Sequence, residues 1–208
     1  MVWDRLFKMW SIVPIAASLA RGIVAHMREI LPQDTNAALR SIAKAIPIHD
    51  IESPHIKKLI KEMKMLLSKE EFGVALAAPQ VGESIQLFIV SGKALARDQI
   101  KGSPEADADD DKLPEVSDQV YINPQLIKVS RKKIEKHEGC LSIRGTWGMV
   151  PRAEKATIKA HDEHGKKITR GASGFLAHVF QHETDHLNGI LYIDKATKLY
   201  EEKEEARS

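Results

Sequence analysis

His182-Glu183-Thr184-Asp185-His186, read as HETDH, is the stretch on which the reading of this chain turns. Residues four apart on an α-helix lie one above the other on the same face. His182 and His186 can therefore offer two imidazoles to one divalent metal. Glu183 sits beside them, able to take a proton from water activated there. The ordinary alternative is a chance grouping on a solvated helix face. The neighbouring sequence argues against it, because Phe175, Leu176, Val179, Phe180 and Leu187 give the segment a wide apolar surface. Ser173 is the expected N-cap and Asn188-Gly189 the expected stop. The reading that follows is a buried metal site on a helix near the C-terminal end.

Catalytic sites typically hold a metal through three protein ligands, so one more is needed. The chain has one cysteine, Cys140, in the sequence HEGCLS. A lone cysteine cannot form an internal disulfide and suits a reducing compartment. Its commoner role is that of a small buried hydrophobe. Here Gly139 permits close backbone approach, and Glu138 and Ser142 are odd choices for a core strand. Two imidazoles and a thiolate suit a soft-to-borderline ion such as Fe(II), Co(II), Ni(II) or Zn(II). A third segment, GVALAAPQVG from Gly73 to Gly82, reads as a loop or edge strand passing close to something. Within it, Gln80 carries an amide N–H able to bind a developing oxyanion.

The rest of the chain supplies the frame. Ser53-Pro54 is a cap followed by proline at the first helical position, and Ile56, Leu59, Ile60, Met63 and Leu67 recur at helical spacing. This predicts a helix from about Pro54 to Ser68. Strands are expected at 85–90, 119–123, 125–129, 132–138 and 155–161. A hairpin turn at 162–165 and a return at 166–169 follow. Strands first and helix last predict an α+β fold, a mostly antiparallel sheet packed against a C-terminal metal-binding helix. The final LYEEKEEARS reads as a charged tail or helix.

Taken in order, GVALAAPQ, EGCLS and HETDH resemble the motifs of the peptide deformylase family, over roughly Met27 to Lys195. Family members remove the formyl group from the N-terminal formyl-methionine of new bacterial and organellar proteins. The resemblance implies that Cys140, His182 and His186 bind one metal ion, most often Fe(II), with Ni(II), Co(II) or Zn(II) also able to occupy the site. It implies that Glu183 is the acid/base, and that Gln80 and the Leu141 backbone N–H bind the oxyanion. Val74, Ala75, Phe175, His178 and Val179 then line the methionine pocket. Arg152, in a stretch similar to the family's VPR, is a candidate partner for Asp185. That pair would either tie the helix down from outside the ligand shell or be a solvated contact of about 0–1 kcal/mol. The chain departs from the usual G-x-G-x-A-A at Ala75, which stands where the pattern has glycine. The flanking Val74 and Leu76 look strand-like, so Ala75 is expected at negative φ with a modest steric effect. Expected partners are formyl-methionyl peptides and nascent chains at the ribosome, the protein itself being a monomer in cytoplasm or an organelle.

Composition bounds these expectations. With 208 residues and 43% hydrophobic content, one main domain with a packed core is the default. Net charge is +2, with 29% charged residues of interspersed sign, so direct nucleic-acid binding is not expected. No apolar run reaches the about 18–20 residues of a membrane span. Residues 1–26 contain the short run MWSIVPIAASLA, broken by Pro14, and read as a non-catalytic leader or extension before a catalytic domain at 27–208. Residues 101–118 are acidic, lack aromatics and read as a flexible surface insertion. The calcium-loop alternative there lacks the required spacing. Two other functions remain in view. A zinc endopeptidase shares H-E-x-x-H but needs a further ligand downstream of His186. A non-enzymatic metal-binding relative has only Ala75 in its favour.

Overall fold

The structure, a computed structural model, describes residues 28–100 and 114–201. The leader expected at 1–26 and most of the acidic stretch lie outside the described residues. The described residues form eight strands and three α-helices in the order α1 (Pro54–Lys69), β1 (Ala75–Ala77), β2 (Leu87–Val90), α2 (Gly92–Gln99), β3 (Gln119–Val129), β4 (Lys133–Cys140), β5 (Ile143–Ala153), β6 (Lys155–His161), β7 (Lys167–Ser173), α3 (Phe175–Leu187) and β8 (Lys198–Glu201). The strands form two antiparallel sheets, β1-β2-β3-β6-β7 and β4-β5-β8. The α+β expectation stands, with the sheet divided in two.

The larger sheet is buried on both faces at its β1–β2 end. Every residue of β2 is buried, because its alternate side chains serve two cores. Leu87 and Ile89 pack with Ile56, Leu59, Ile60, Met63 and Leu67 of α1. Phe88 and Val90 turn the other way, toward Leu176, Val179 and Phe180 of α3. Phe88 stacks on Tyr121 at 4.8 Å between ring centroids, and Tyr121 meets Phe180 edge-on at 5.3 Å. These rings seat the helix that carries HETDH. Burying one such ring contributes about 1.5–3 kcal/mol. Helix α1 starts as read: Ser53 Oγ accepts from the Ile56 N–H at 3.4 Å, with Pro54 in the first turn.

Several local expectations are corrected. Residues 119–129 form one strand, interrupted by a register shift between Ile122 and Gln125. Asn123 sits there at φ 51°, and its side chain exchanges two hydrogen bonds with the Ile46 backbone at 2.8 and 2.7 Å. Asparagine tolerates that backbone region and a bulge absorbs the extra residue. Gly174, not Ser173, is the N-cap of α3; Ser173 ends β7 instead. Gly174 has φ 58°, a region glycine enters without steric cost. Asn188 and Gly189 do end the helix. Helix α2 and strand β5 were not read from the sequence. The start of the LYEEKEEARS tail is no helix but part of β8, which pairs with Thr146 to Met149 of β5.

At the far end of the acidic stretch, Val116 packs against the core and Asp118 Oδ1 accepts the Gly92 N–H at 2.8 Å. The described end of this stretch is thus tied to the core at Val116 and Asp118. A Cβ at Gly92 would lie 1.7 Å from the Val116 carbonyl oxygen. Gly92→Ala should lower stability by about 1–3 kcal/mol through overpacking. Urea unfolding should show it as a lower midpoint at unchanged slope; a wild-type midpoint would mean that the 114–118 backbone yields freely.

Candidate metal centre

The end of one strand and one face of one helix build the site. Cys140 is the last residue of β4, before the two-residue turn Leu141–Ser142 that leads into β5. The Gln33 N–H donates to the Ser142 carbonyl at 3.0 Å and holds that turn. The close approach read at Gly139 has a concrete cause: a Cβ there would lie 3.0 Å from the Trp147 ring. On α3, His178, His182 and His186 follow at four-residue spacing, so they share a face beside the one that buries Leu176 and Phe180.

Cys140, His182 and His186 come together, with their ligand atoms all within 4.8 Å of one another. Cys140 Sγ is 3.4 Å from His186 Nε2, and the two rings stand near-perpendicular at 4.8 Å between centroids. His182 Nδ1 donates to Glu138 Oε2 at 2.9 Å, which leaves Nε2 on the Cys140 side as the candidate ligand atom. A metal-binding imidazole is commonly held this way by a carboxylate. Glu183 is 4% exposed, and among the described residues neither its Oε2 nor Nδ1 of His186 has a hydrogen-bond partner. A cysteine sulfur and two imidazoles beside a buried carboxylate form a donor set that fits a divalent ion.

Glu138 is the residue that sequence reasoning undervalued. It is 8% exposed. Arg152 Nε and Nη2 donate to its two oxygens at 2.7 and 2.8 Å. Arg152 Nη1 donates to Asp185 Oδ2, and Lys195 Nζ reaches both Asp185 oxygens at 2.6 and 2.7 Å. Arg152 is itself 3% exposed, so its contact with Asp185 is not a solvated surface pair. The only hint in the sequence was a glutamate next to the Gly-Cys step where a core residue would be expected. Tyr192, also unread, lies 23° from parallel with the His182 ring at 6.1 Å and donates to the Thr146 carbonyl at 2.7 Å.

Gln80 sits in a 3-10 turn, Ala78–Val81, directly after β1. Its Oε1 accepts from the Ala77 N–H at 2.8 Å. That bond fixes the amide so that Nε2 points at Cys140 Sγ and Ser142 Oγ, each at 3.4 Å. Ala75 and Val179 share one apolar cluster, with Val74 packed against it. His178 is buried, whereas Phe175 is 42% exposed at the helix start. Strand β1 lies at the sheet edge, as the GVALAAPQVG reading allowed. Among the described non-glycine residues only Asn123 has positive φ, so Ala75 is unstrained.

Charge states follow from burial and partners. Burial would raise Glu138, but the hydrogen bonds from Arg152 and His182 outweigh it and hold the carboxyl down at about 2. Burial pushes Glu183 up to about 7. It lowers His178 to about 4 and takes His186 well below the usual histidine range. For His182, burial acts downward and is overcome by the Cys140 and Glu138 hydrogen bonds, giving about 10.

No described helix is long and apolar enough to cross a membrane. A sequence profile of the polypeptide deformylase family matches residues 27–202. The chain is 40% identical over 161 residues to a peptide deformylase of Carboxydothermus hydrogenoformans, covering 77% of this chain and 88% of that one. It is 39% identical over 163 residues to one from Halothermothrix orenii, covering 77% and 89%. Among solved structures, a Met-Ala-Ser-bound class I type b peptide deformylase from Acinetobacter baumannii superposes with a TM-score of 0.67 at 29% identity, covering 81% of this chain and 98% of that one. One from Legionella pneumophila gives 0.64 at 32% identity, covering 82% and 86%. The HETDH helix, the cysteine at the end of β4 and the sheet between them thus have a common origin: the chain belongs to the peptide deformylase family, whose members are metal-dependent hydrolases.

Proposed function

We propose that Cys140, His182 and His186 hold a single divalent ion, and that the chain uses it to hydrolyse the formyl group from N-terminal formyl-methionine, releasing formate. The observation that carries this is the convergence of one cysteine sulfur and two imidazoles beside the buried carboxylate of Glu183. Fe(II) is the ion proposed, with Ni(II), Co(II) and Zn(II) able to take the same ligands. When bound, it supplies Lewis acidity, polarising the formyl oxygen and making water a stronger acid.

The chain's own groups do the rest. A cation close to Glu183 favours its ionised form and offsets the upward push of burial, so Glu183 begins as the base. It takes a proton from the attacking water and returns it to the departing amine. The negative charge that develops on the formyl oxygen is met by Gln80 Nε2 and the Leu141 N–H. Gln80 is suited to this because its carbonyl oxygen is already occupied by Ala77, so the donor end is fixed before substrate arrives. Val74, Ala75, His178 and Val179 take the methionine side chain, with Phe175 at the rim. Arg152 and Asp185 hold the helix against the strand that bears the thiolate, through Glu138. The proposed substrates are formyl-methionyl peptides and nascent chains at the ribosome, the protein acting as a monomer in cytoplasm or an organelle. A zinc endopeptidase is disfavoured, since the third ligand atom in reach comes from β4, upstream of the HETDH helix.

Formate release from formyl-Met-Ala-Ser, with metal analysis of protein purified without oxygen, tests the proposal; a metal-loaded protein that releases none overturns it. Glu183→Gln should abolish turnover while keeping about one metal per chain, because Glu183 is no ligand. Joint loss of metal and activity would instead make it a ligand or a structural group. Cys140→Ser should lose metal or activity sharply, and full activity in that variant removes the thiolate from the ligand set.

Glu138→Gln should weaken metal affinity by about 10–100-fold through loss of the carboxylate behind His182. Competition with a chelator reads this directly, and an unchanged affinity would confine Glu138 to folding. Ala75→Gly should change kcat/KM by less than about tenfold at equal metal loading, or 1.4 kcal/mol. An inert wild type beside an active glycine variant would show that the methyl group silences the site.

A further inference from the structure

One face of the larger sheet carries a row of unpaired cations. Strands β6 and β7 send Ile158, Ala160, Ile168 and Ala172 to the core beneath α3. On the opposite face α1 covers β2 and the start of β3, and no residue of β6 or β7 joins that cluster. Alternation therefore turns Lys155, Thr157 and Lys159 of β6, with Lys167 and Thr169 of β7, to the face that α1 leaves open. Gln125 pairs with Lys159 and Lys128 with Thr157, so the end of β3 extends the same surface.

The charge of this surface is one-sided. Strands β3, β6 and β7 contain no aspartate or glutamate. Lys128, Lys155, Lys159 and Lys167 are exposed, and none forms an ion pair among the described residues. The acids that flank the strands are engaged elsewhere. Glu154 accepts from Lys132 at 3.1 Å, Glu163 from Lys64 at 3.0 Å, and Asp162 Oδ1 from two backbone N–H groups at 2.9 Å. The register sets the lysines in the order 155, 128, 159, 167, each a diagonal cross-strand neighbour of the next at about 7–8 Å. The net charge of +2 conceals this row, because acids are concentrated at 101–118 and 201–205.

We infer that this face binds duplex RNA through its phosphate backbone, independently of the chemistry at the metal centre. A regular row of cations repels itself and is relieved by a polymer of regularly spaced anions. Gln125, Thr157 and Thr169 stand between the lysines and can hydrogen-bond the 2′-hydroxyls displayed by the wide, shallow minor groove of an A-form helix. Tyr121, the one aromatic ring among Phe, Tyr and Trp in these strands, belongs to the core on the other face. The surface therefore lacks a stacking platform for the bases of a single strand.

Fluorescence anisotropy of the full, metal-loaded chain with an RNA duplex of about 16 base pairs tests this. Four phosphate contacts predict binding about 100-fold weaker at 200 mM than at 50 mM salt. Lys128→Gln, Lys159→Gln and Lys167→Gln combined should weaken binding more than about tenfold at the lower salt, and flatten the log–log salt slope by about 0.9 per lysine removed. The same change at Lys69, Lys133 and Lys198, exposed residues at the end of α1 and on the smaller sheet, should leave the slope as in wild type. A DNA duplex of the same sequence, without 2′-hydroxyls, should bind about threefold to tenfold more weakly.

Equal weakening by the two triple variants would reduce the effect to net charge and overturn the inference. Equal affinity for RNA and DNA, or tighter binding to anionic lipid vesicles than to RNA, would overturn it too. Formyl-Met-Ala-Ser turnover should be the same in all three proteins, since none of these lysines belongs to the metal centre. Turnover without RNA binding sinks the inference alone, and RNA binding without turnover sinks the deformylase reading alone. Should the first triple variant fail to fold, Lys159→Gln by itself must still flatten the slope by about 0.9.

Discussion

The guanidinium of Arg152 is the contact on which this site depends. It joins Glu138 on the strand that ends in Cys140 to Asp185 on the helix that carries the imidazoles. Two buried carboxylates are balanced by Arg152 and by Lys195, which is partly solvated. A buried pair of this kind adds little net stability over a well-packed apolar replacement, because desolvation offsets most of the attraction. Removing one partner is different. It strands a charge at about 3–5 kcal/mol. The network therefore serves geometry more than stability, since it sets how β4 and α3 meet, and the three candidate ligand atoms lie across that junction.

The packing beneath has a matching logic. Strand β2 sends alternate side chains to α1 and α3, so the sheet is clamped from both faces at its β1–β2 end. The rings of Phe88, Tyr121 and Phe180 fix α3 over that sheet. With the helix held by apolar contacts on one face, the neighbouring face can carry His178, His182 and His186. Two of the polar groups there meet partners from the smaller sheet: Glu138 of β4 accepts from His182, and Arg152 of β5 donates to Asp185.

Much of the frame was legible. The helix at Pro54 followed from a cap, a proline and five apolar residues at helical spacing, all local features. The hairpin at 162–165 and the strand before it followed from alternation and turn residues. Other elements were not legible for stated reasons. Strand β5 contains Gly145, Gly148 and Pro151, which read as turn residues, and it is a strand only because β4 and β8 pair with it on either side. Ser173 looks like a cap, but its backbone is consumed by pairing with Lys155, so the cap role passes to Gly174. The tail after Leu199 is charged, and only the free edge of β5 makes part of it a strand.

Local sequence by itself determined the chemistry on offer: four-residue spacing of His182 and His186 aligns two imidazoles whatever the fold, and Glu183 must sit beside them. The motifs in order also gave the family. Tertiary structure alone decided the rest. Nothing in the spacing between residues 138 and 182 places Glu138 behind His182, or turns Gln80 Nε2 toward Cys140. Those arrangements come from strands and a helix brought together across more than 40 residues, and they are fixed by burial and hydrogen-bond satisfaction, which no local pattern encodes.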